Sequence, residues 1–172
     1  MSKHTCNCNR MNCGCAGGMH TYAPYYQALL NIIKPAKVHE WGPGPNTQMA
    51  LDSGAWVTAV ESDREWLPKG THERFSCIWI PTSHPLYTST WQTTDTAQTE
   101  LFFVDGRRRG ECLNAIPFNS TAIACLHDAQ RLRYQEPMSR FPFVIHLIFG
   151  FAIMSFDEGV NRIAEQIRKE VQ

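Results

Sequence analysis

A chain of 172 residues, 43% hydrophobic and 19% charged, is long enough for one domain with a sizeable core and too apolar for a disordered segment. Its 16 Lys and Arg balance 16 Asp and Glu, giving a formal net charge of zero. That argues against a general nucleic-acid or anionic-membrane surface, which needs an excess of cations, and leaves only local basic patches.

Residues 1–20 differ in composition from the rest, being rich in Cys, Asn, Gly and Met. Cys6, Cys8, Cys13 and Cys15 fall in the pattern C-x-C-x4-C-x-C. No apolar leader segment is visible there, so a cytoplasmic location is expected. In that compartment cysteines bind metal more readily than they pair. Four thiolates could close a tetrahedral Zn²⁺ site, although the spacing is tighter than the usual C-x2-C knuckle. A reduced tail and disulfides are the alternatives. Cys77, Cys112 and Cys125 sit in apolar surroundings and read as small core residues.

Residues 21–172 form the expected main domain. "TYAPYYQALLNIIKP" reads as a helix, with Pro24 suited to a first turn, Tyr26, Leu29, Leu30 and Ile33 on one face, and Pro35 as the stop. Val38–Trp41 reads as a strand. A short helix follows over Asn46–Ser53, with Asn46 as its cap and Gly54 just past its end. Further strands are expected at 56–62, 74–81, 100–106 and 121–129. Helical turns are expected at 63–69, and a helix from Arg107 to about Ile116. The Thr-rich stretch 82–99 shows weak helical periodicity. The apolar run 141–156 is short for a bilayer span and carries His146 and Gly150, so it reads as two buried strands. The chain closes on an amphipathic helix with Val160, Ile163, Ile167 and Val171 on one face, Asp157 and Glu158 at its start, and Arg168 and Lys169 near its end. Near-continuous apolar strands alternating with helices imply an α/β fold, with a mostly parallel sheet covered on both faces.

The chemistry-bearing signal is "VHEWGPGPNT", Val38 to Thr47. Ligands of open α/β sheets bind outside the carboxyl ends of the strands, and this loop is such an end. Gly42 permits a sharp turn, and Gly44 allows close approach of the backbone to a ligand. A P-loop needs Gly-Lys-Ser/Thr, which is missing, and the dinucleotide fingerprint fails at Thr47. A second strand ends on Glu61 in "VTAVESD", where a carboxylate can accept ribose hydroxyl protons.

With "VHEWGPGPNT", "VTAVESDREW", "ELFFVDGRRR" and "TAIACLHDA" in this order, residues 24–172 resemble the class I methyltransferases that use S-adenosylmethionine (SAM). The resemblance implies a three-layer Rossmann-like methyltransferase fold, with a mostly parallel seven-stranded sheet whose last strand is antiparallel. It also implies that Glu40, Gly42 and Gly44 hold the methionine end of SAM, with Trp41, Pro43 and Asn46 lining the loop and Glu61 and Ser62 at the ribose. The sequence departs from the family at Pro45, at "WIPTS" after strand three and at "PFNS" before strand five.

Methyl transfer asks the protein mainly for positioning and for deprotonation of the acceptor. Asp105, His127 and Asp128 end strands four and five, where related O-methyltransferases hold a divalent cation. Two readings follow: a cation on Asp105 and Asp128, or a metal-free role with His127 or Asp128 as general base. The plain alternative is that both aspartates cap helices. Arg107 and Arg108, in "RRR" at 107–109, suit a phosphate or carboxylate on the substrate, and their cations oppose the helix dipole there. The implied acceptor is a small molecule or a protein. Few residues remain for a substrate cap, so the pocket is either open or completed by the tail, a partner or a second copy in a homo-oligomer. The competing reading is an inactive methyltransferase-like scaffold or binding module whose working part is a metal-binding tail. A nucleotide-binding oxidoreductase is disfavoured by Thr47.

Overall fold

The computed structural model describes residues 19–92, 98–118 and 120–172, with only the backbone for 19–21. The four cysteines of the expected zinc site lie outside the described residues. In chain order the elements are α1 (Met19–Ile33), β1 (Lys37–Trp41), α2 (Pro45–Asp52), β2 (Trp56–Glu61), β3 (Phe75–Trp79), β4 (Leu101–Val104), α3 (Arg109–Ala115), β5 (Ile123–His127), α4 (Gln135–Met138), β6 (Phe143–Ile148), β7 (Phe151–Ser155) and α5 (Gly159–Val171). The strands form one seven-stranded sheet in the order β3-β2-β1-β4-β5-β7-β6. The first five run parallel, and β7 is antiparallel to both β5 and β6. The run 141–156 is therefore a hairpin, turned at Gly150 with φ +87°. No helix among the described residues is long and apolar enough to cross a membrane.

Strand β4, "LFFV", is buried along its whole length, as expected of a central strand covered on both faces. On one face Phe103, Leu101 and Cys125 meet Leu29 and Leu30 from α1 and Val160 and Ile167 from α5. On the other, Phe102, Val104 and Ala124 meet Cys112, Leu113 and Met138. The apolar stripe of α5 supplies the first core, with Val160, Ala164 and Ile167 buried. Asp157 accepts the Gly159 N–H at 2.6 Å and so fixes the helix entry.

Several local expectations are corrected. Helix α1 begins at Met19, so Pro24 stands inside it rather than in its first turn. The cap of α2 is Gly44, not Asn46, because Pro45 sets the first helical φ and Thr47 Oγ1 accepts the Gly44 N–H at 3.0 Å. Residues 64–66 make a single 3₁₀ turn, and the Thr-rich connection holds two more at Pro85–Tyr87 and Thr90–Gln92. Among the described residues, no full helix joins β2 to β3 or β3 to β4. Cys112 and Cys125 are buried, but Cys77 on the edge strand β3 is only half-buried.

Candidate functional site

Parallel topology brings the ends of β1, β2, β4 and β5 to one edge of the sheet, and the switch in strand order falls between β1 and β4. The ladder runs on past the strand ends: Gly42 N–H donates to Val60 O at 2.9 Å, and Asp105 N–H to Trp41 O at 2.9 Å. Gly42 adopts φ +87°, and a Cβ there would lie 2.7 Å from Gly106 Cα. Only glycine fits at either side of that contact, since a Cβ on Gly106 would stand 2.7 Å from the Tyr87 hydroxyl. The glycine at 44 has no such need. Its φ of −167° is extended, and a Cβ there meets nothing within 4 Å.

Under this loop Glu40 is 1% exposed. Thr47 Oγ1 donates to its Oε2 at 2.6 Å, while Oε1 is buried with no partner. Burial pushes the carboxyl up to about 8, against the lowering effect of the Thr47 bond. Thr47, which in the sequence served only to disqualify a dinucleotide motif, is the residue that ties the carboxylate to the loop. Asn46 is buried and accepts a hydrogen bond from Tyr22 OH at 3.1 Å. Pro43 is buried in the turn. Trp41 is wholly buried: its indole stacks on Phe102 and donates to Tyr87 O at 2.9 Å, so its ring does not line the loop.

At the end of β2, Glu61 Oε1 accepts the N–H groups of Ser62 at 2.6 Å and Asp63 at 2.8 Å. An open groove of about 700 Å³ lies beside it, walled by Ser62, Asp63, Trp79, Thr82, Arg107 and Arg108 among others. Tyr87, from the 3₁₀ turn before β4, fills the space between the β2 and β4 ends. Its hydroxyl accepts the Arg107 N–H at 2.9 Å, and burial raises its pKa to about 12.

At the ends of β4 and β5 the chain places Asp105, His127 and Asp128 together. Asp105 Oδ1 holds His127 Nδ1 at 2.8 Å and Arg109 Nη2 at 2.8 Å. Arg109 Nη1 reaches Asp128 Oδ2 at 3.0 Å, and Arg131 Nη2 reaches the same oxygen at 2.6 Å. Arg109 also donates to the carbonyls of Asp105, Gly106 and His127. The guanidinium therefore stands between the aspartates, where a cation shared by them would have to sit. Among the described residues no cluster of three or more His, Cys, Asp or Glu could hold a metal ion. Neither aspartate caps a helix: the residue before α3 is Arg108, in the left-handed region at φ +49°. That kink sends Arg108 to Thr82 O and Glu111 and leaves Arg107 exposed.

Tyr22 completes the site, with its ring 4.7 Å from that of His127. Burial raises its phenol pKa, so the hydroxyl stays protonated and donates to Asn46. It lies one helical turn before Tyr26 on the apolar face of α1, a spacing visible in the sequence. His39 is buried with both ring nitrogens unpartnered, and burial lowers its pKa to about 3. It lies edge-on to Trp41 as a neutral core residue.

The strand order, the antiparallel last strand β7 and the glycine turn after β1 define a methyltransferase-like Rossmann fold. A solved structure similar to this chain is that of a methyltransferase-like protein from Silicibacter pomeroyi DSS-3, with a TM-score of 0.61, 20% identity, and coverage of 88% of this chain and 95% of that one. At that identity the likeness shows the fold alone. No family profile matches the chain, and neither does any curated protein sequence.

Proposed function

We propose that the protein is a SAM-dependent methyltransferase that binds the cofactor across the ends of β1 and β2. The observation that carries this reading is the pairing of Glu40 with Gly44. A buried carboxylate oxygen without a partner calls for a cationic or hydrogen-bonding ligand. Above it stands a glycine that neither its φ nor its neighbours require, which is accounted for if a ligand lies against the backbone. Glu40 would take the ammonium of the methionine end. Glu61, oriented through one oxygen by the amides of Ser62 and Asp63, would offer the other to the ribose hydroxyls. When bound, SAM supplies an electrophilic methyl group.

The chain's own part in the chemistry is a positioned base. Asp105 engages His127 Nδ1, which leaves Nε2 to accept the acceptor's proton. Arg109 fixes Asp105 and Asp128 relative to each other, so Asp128 acts here through the network.

Calorimetric titration with SAM and S-adenosylhomocysteine tests the reading. Micromolar binding is expected, lost on Glu61→Ala and weakened at least tenfold by Gly44→Ala in a protein that remains folded. Absence of binding by the folded wild type would refute it. A second reading, an inactive scaffold of the same fold, is favoured by one observation: Tyr87 and the Gly42–Gly106 contact fill the crevice at the switch point with the chain's own atoms. Wild type that fails to bind S-adenosylhomocysteine, with binding gained on Tyr87→Ala, would support it.

A further inference from the structure

A second groove, of about 500 Å³, opens on the other side of the β4–α3 loop. Its walls include five arginines, Arg107, Arg108, Arg109, Arg131 and Arg133, with Glu111 as the one acidic residue. In a chain of zero net charge such a concentration is local and calls for a cause. Three of the five face carboxylates: Arg108 pairs with Glu111, Arg109 with Asp105 and Asp128, and Arg131 with Asp128. The other two do not. Arg107 is exposed, and its guanidinium has no carboxylate partner among the described residues. Arg133 donates to Tyr134 OH at 2.8 Å and lies over that ring, 4.9 Å from its centroid, again without a carboxylate.

Two uncompensated guanidiniums on one concave surface make a site for a doubly charged oxyanion, and their planar forks match the oxygens of a phosphate. The paired arginines contribute rigidity. Arg109 is bound to both strand ends, and Arg131 to Asp128, so the wall does not need to reorganise to receive a charge. Arg133 in turn lies over the ring of the buried Tyr134, so its guanidinium is seated on a fixed surface. The groove's volume is that of a small-molecule site.

We infer that this groove binds a small ligand carrying a phosphate monoester. The loop 106–108 separates it from the groove beside Glu61, and Arg107 and Arg108 wall both. If the proposed methyl transfer holds, on which this part rests, the phosphorylated ligand is the methyl acceptor, anchored by its phosphate on the far side of the loop from the cofactor.

The test uses the whole protein and inorganic phosphate, followed by phosphorus NMR line broadening at low chloride. Saturable binding is expected, weakened roughly tenfold by Arg107→Gln and again by Arg133→Gln, as for the loss of a charge-assisted hydrogen bond. Arg168→Gln, on α5, should leave it unchanged. Equal binding in wild type and both groove variants would overturn the site, as would tighter binding of succinate than of phosphate, which would assign it to carboxylates. S-adenosylhomocysteine is titrated alongside. Phosphate binding without cofactor binding keeps the anion site and removes the methyltransferase reading. Cofactor binding without phosphate binding does the reverse.

Discussion

Replacing Glu40 by glutamine should invert the pH dependence of stability. Glu40 has its folded pKa raised from 4.5 to about 8. Its protonated form is favoured by the fold, so stability from it is full below pH 4.5 and is lost as the pH rises through 8. Across pH 5 to 8 that loss is about 3 kcal/mol. His39 works the other way. Its folded pKa is lowered from 6.5 to about 3, so its contribution is present above 6.5 and lost as the pH falls. Over the same interval it makes the protein more stable by about 2 kcal/mol as the pH rises. Ligand-free wild type should therefore lose about 1 kcal/mol between pH 5 and 8, whereas Glu40→Gln, left with the histidine, should gain about 2 kcal/mol. Urea unfolding at pH 5, 6, 7 and 8 on both proteins measures the difference. Parallel curves would refute the reasoning, since they would show that the carboxylate ionises as freely in the fold as in the unfolded chain.

Two further outcomes are expected. Gly42→Ala combines a positive φ with a Cβ 2.7 Å from Gly106 Cα, and should destabilise by about 3 kcal/mol or more, while Gly44→Ala stays within about 0.5 kcal/mol of wild type in the same urea assay. Arg109→Met leaves Asp105 and Asp128 without their shared cation. Both are partly exposed, at 24% and 19%, so water recovers some of the loss and chemical denaturation should show a cost of about 2 kcal/mol rather than that of a fully buried pair.

The sheet was legible because each strand is a short apolar run with its own boundary. "LFFV" and "IACLH" sit in the sheet centre as their composition requires. The hairpin at Gly150 and the stripe of α5 were equally readable from pattern. What pattern could not supply was any element too short for a period. The 3₁₀ turns and the four-residue α4 have no repeat to detect. In the site, Glu40 and Gly44 could be seen, but the bond from Thr47 to Glu40 spans a strand end, a turn and a helix start, and has no local signature. Three consecutive arginines are indistinguishable in sequence. The left-handed residue at 108 sorts them, turning Arg109 inward to the strand ends and Arg107 outward.

Strand β3 is at the edge of the sheet beside β2, and among the described residues no helix of more than a turn joins it to the strands before and after it in sequence. Among the described residues, one row of its backbone groups faces no further strand. Its tip, Trp79, is held by Arg64, whose guanidinium lies 4.1 Å from the ring centroid. Trp79 is also a wall of the groove beside Glu61. The least buttressed part of the sheet is thus the part that would close around one end of a ligand. Such an arrangement makes β3 the first segment to fray and the one whose amide exchange slows most when the groove fills. Occupancy would then be written as order at the margin of the sheet, with the centre unmoved.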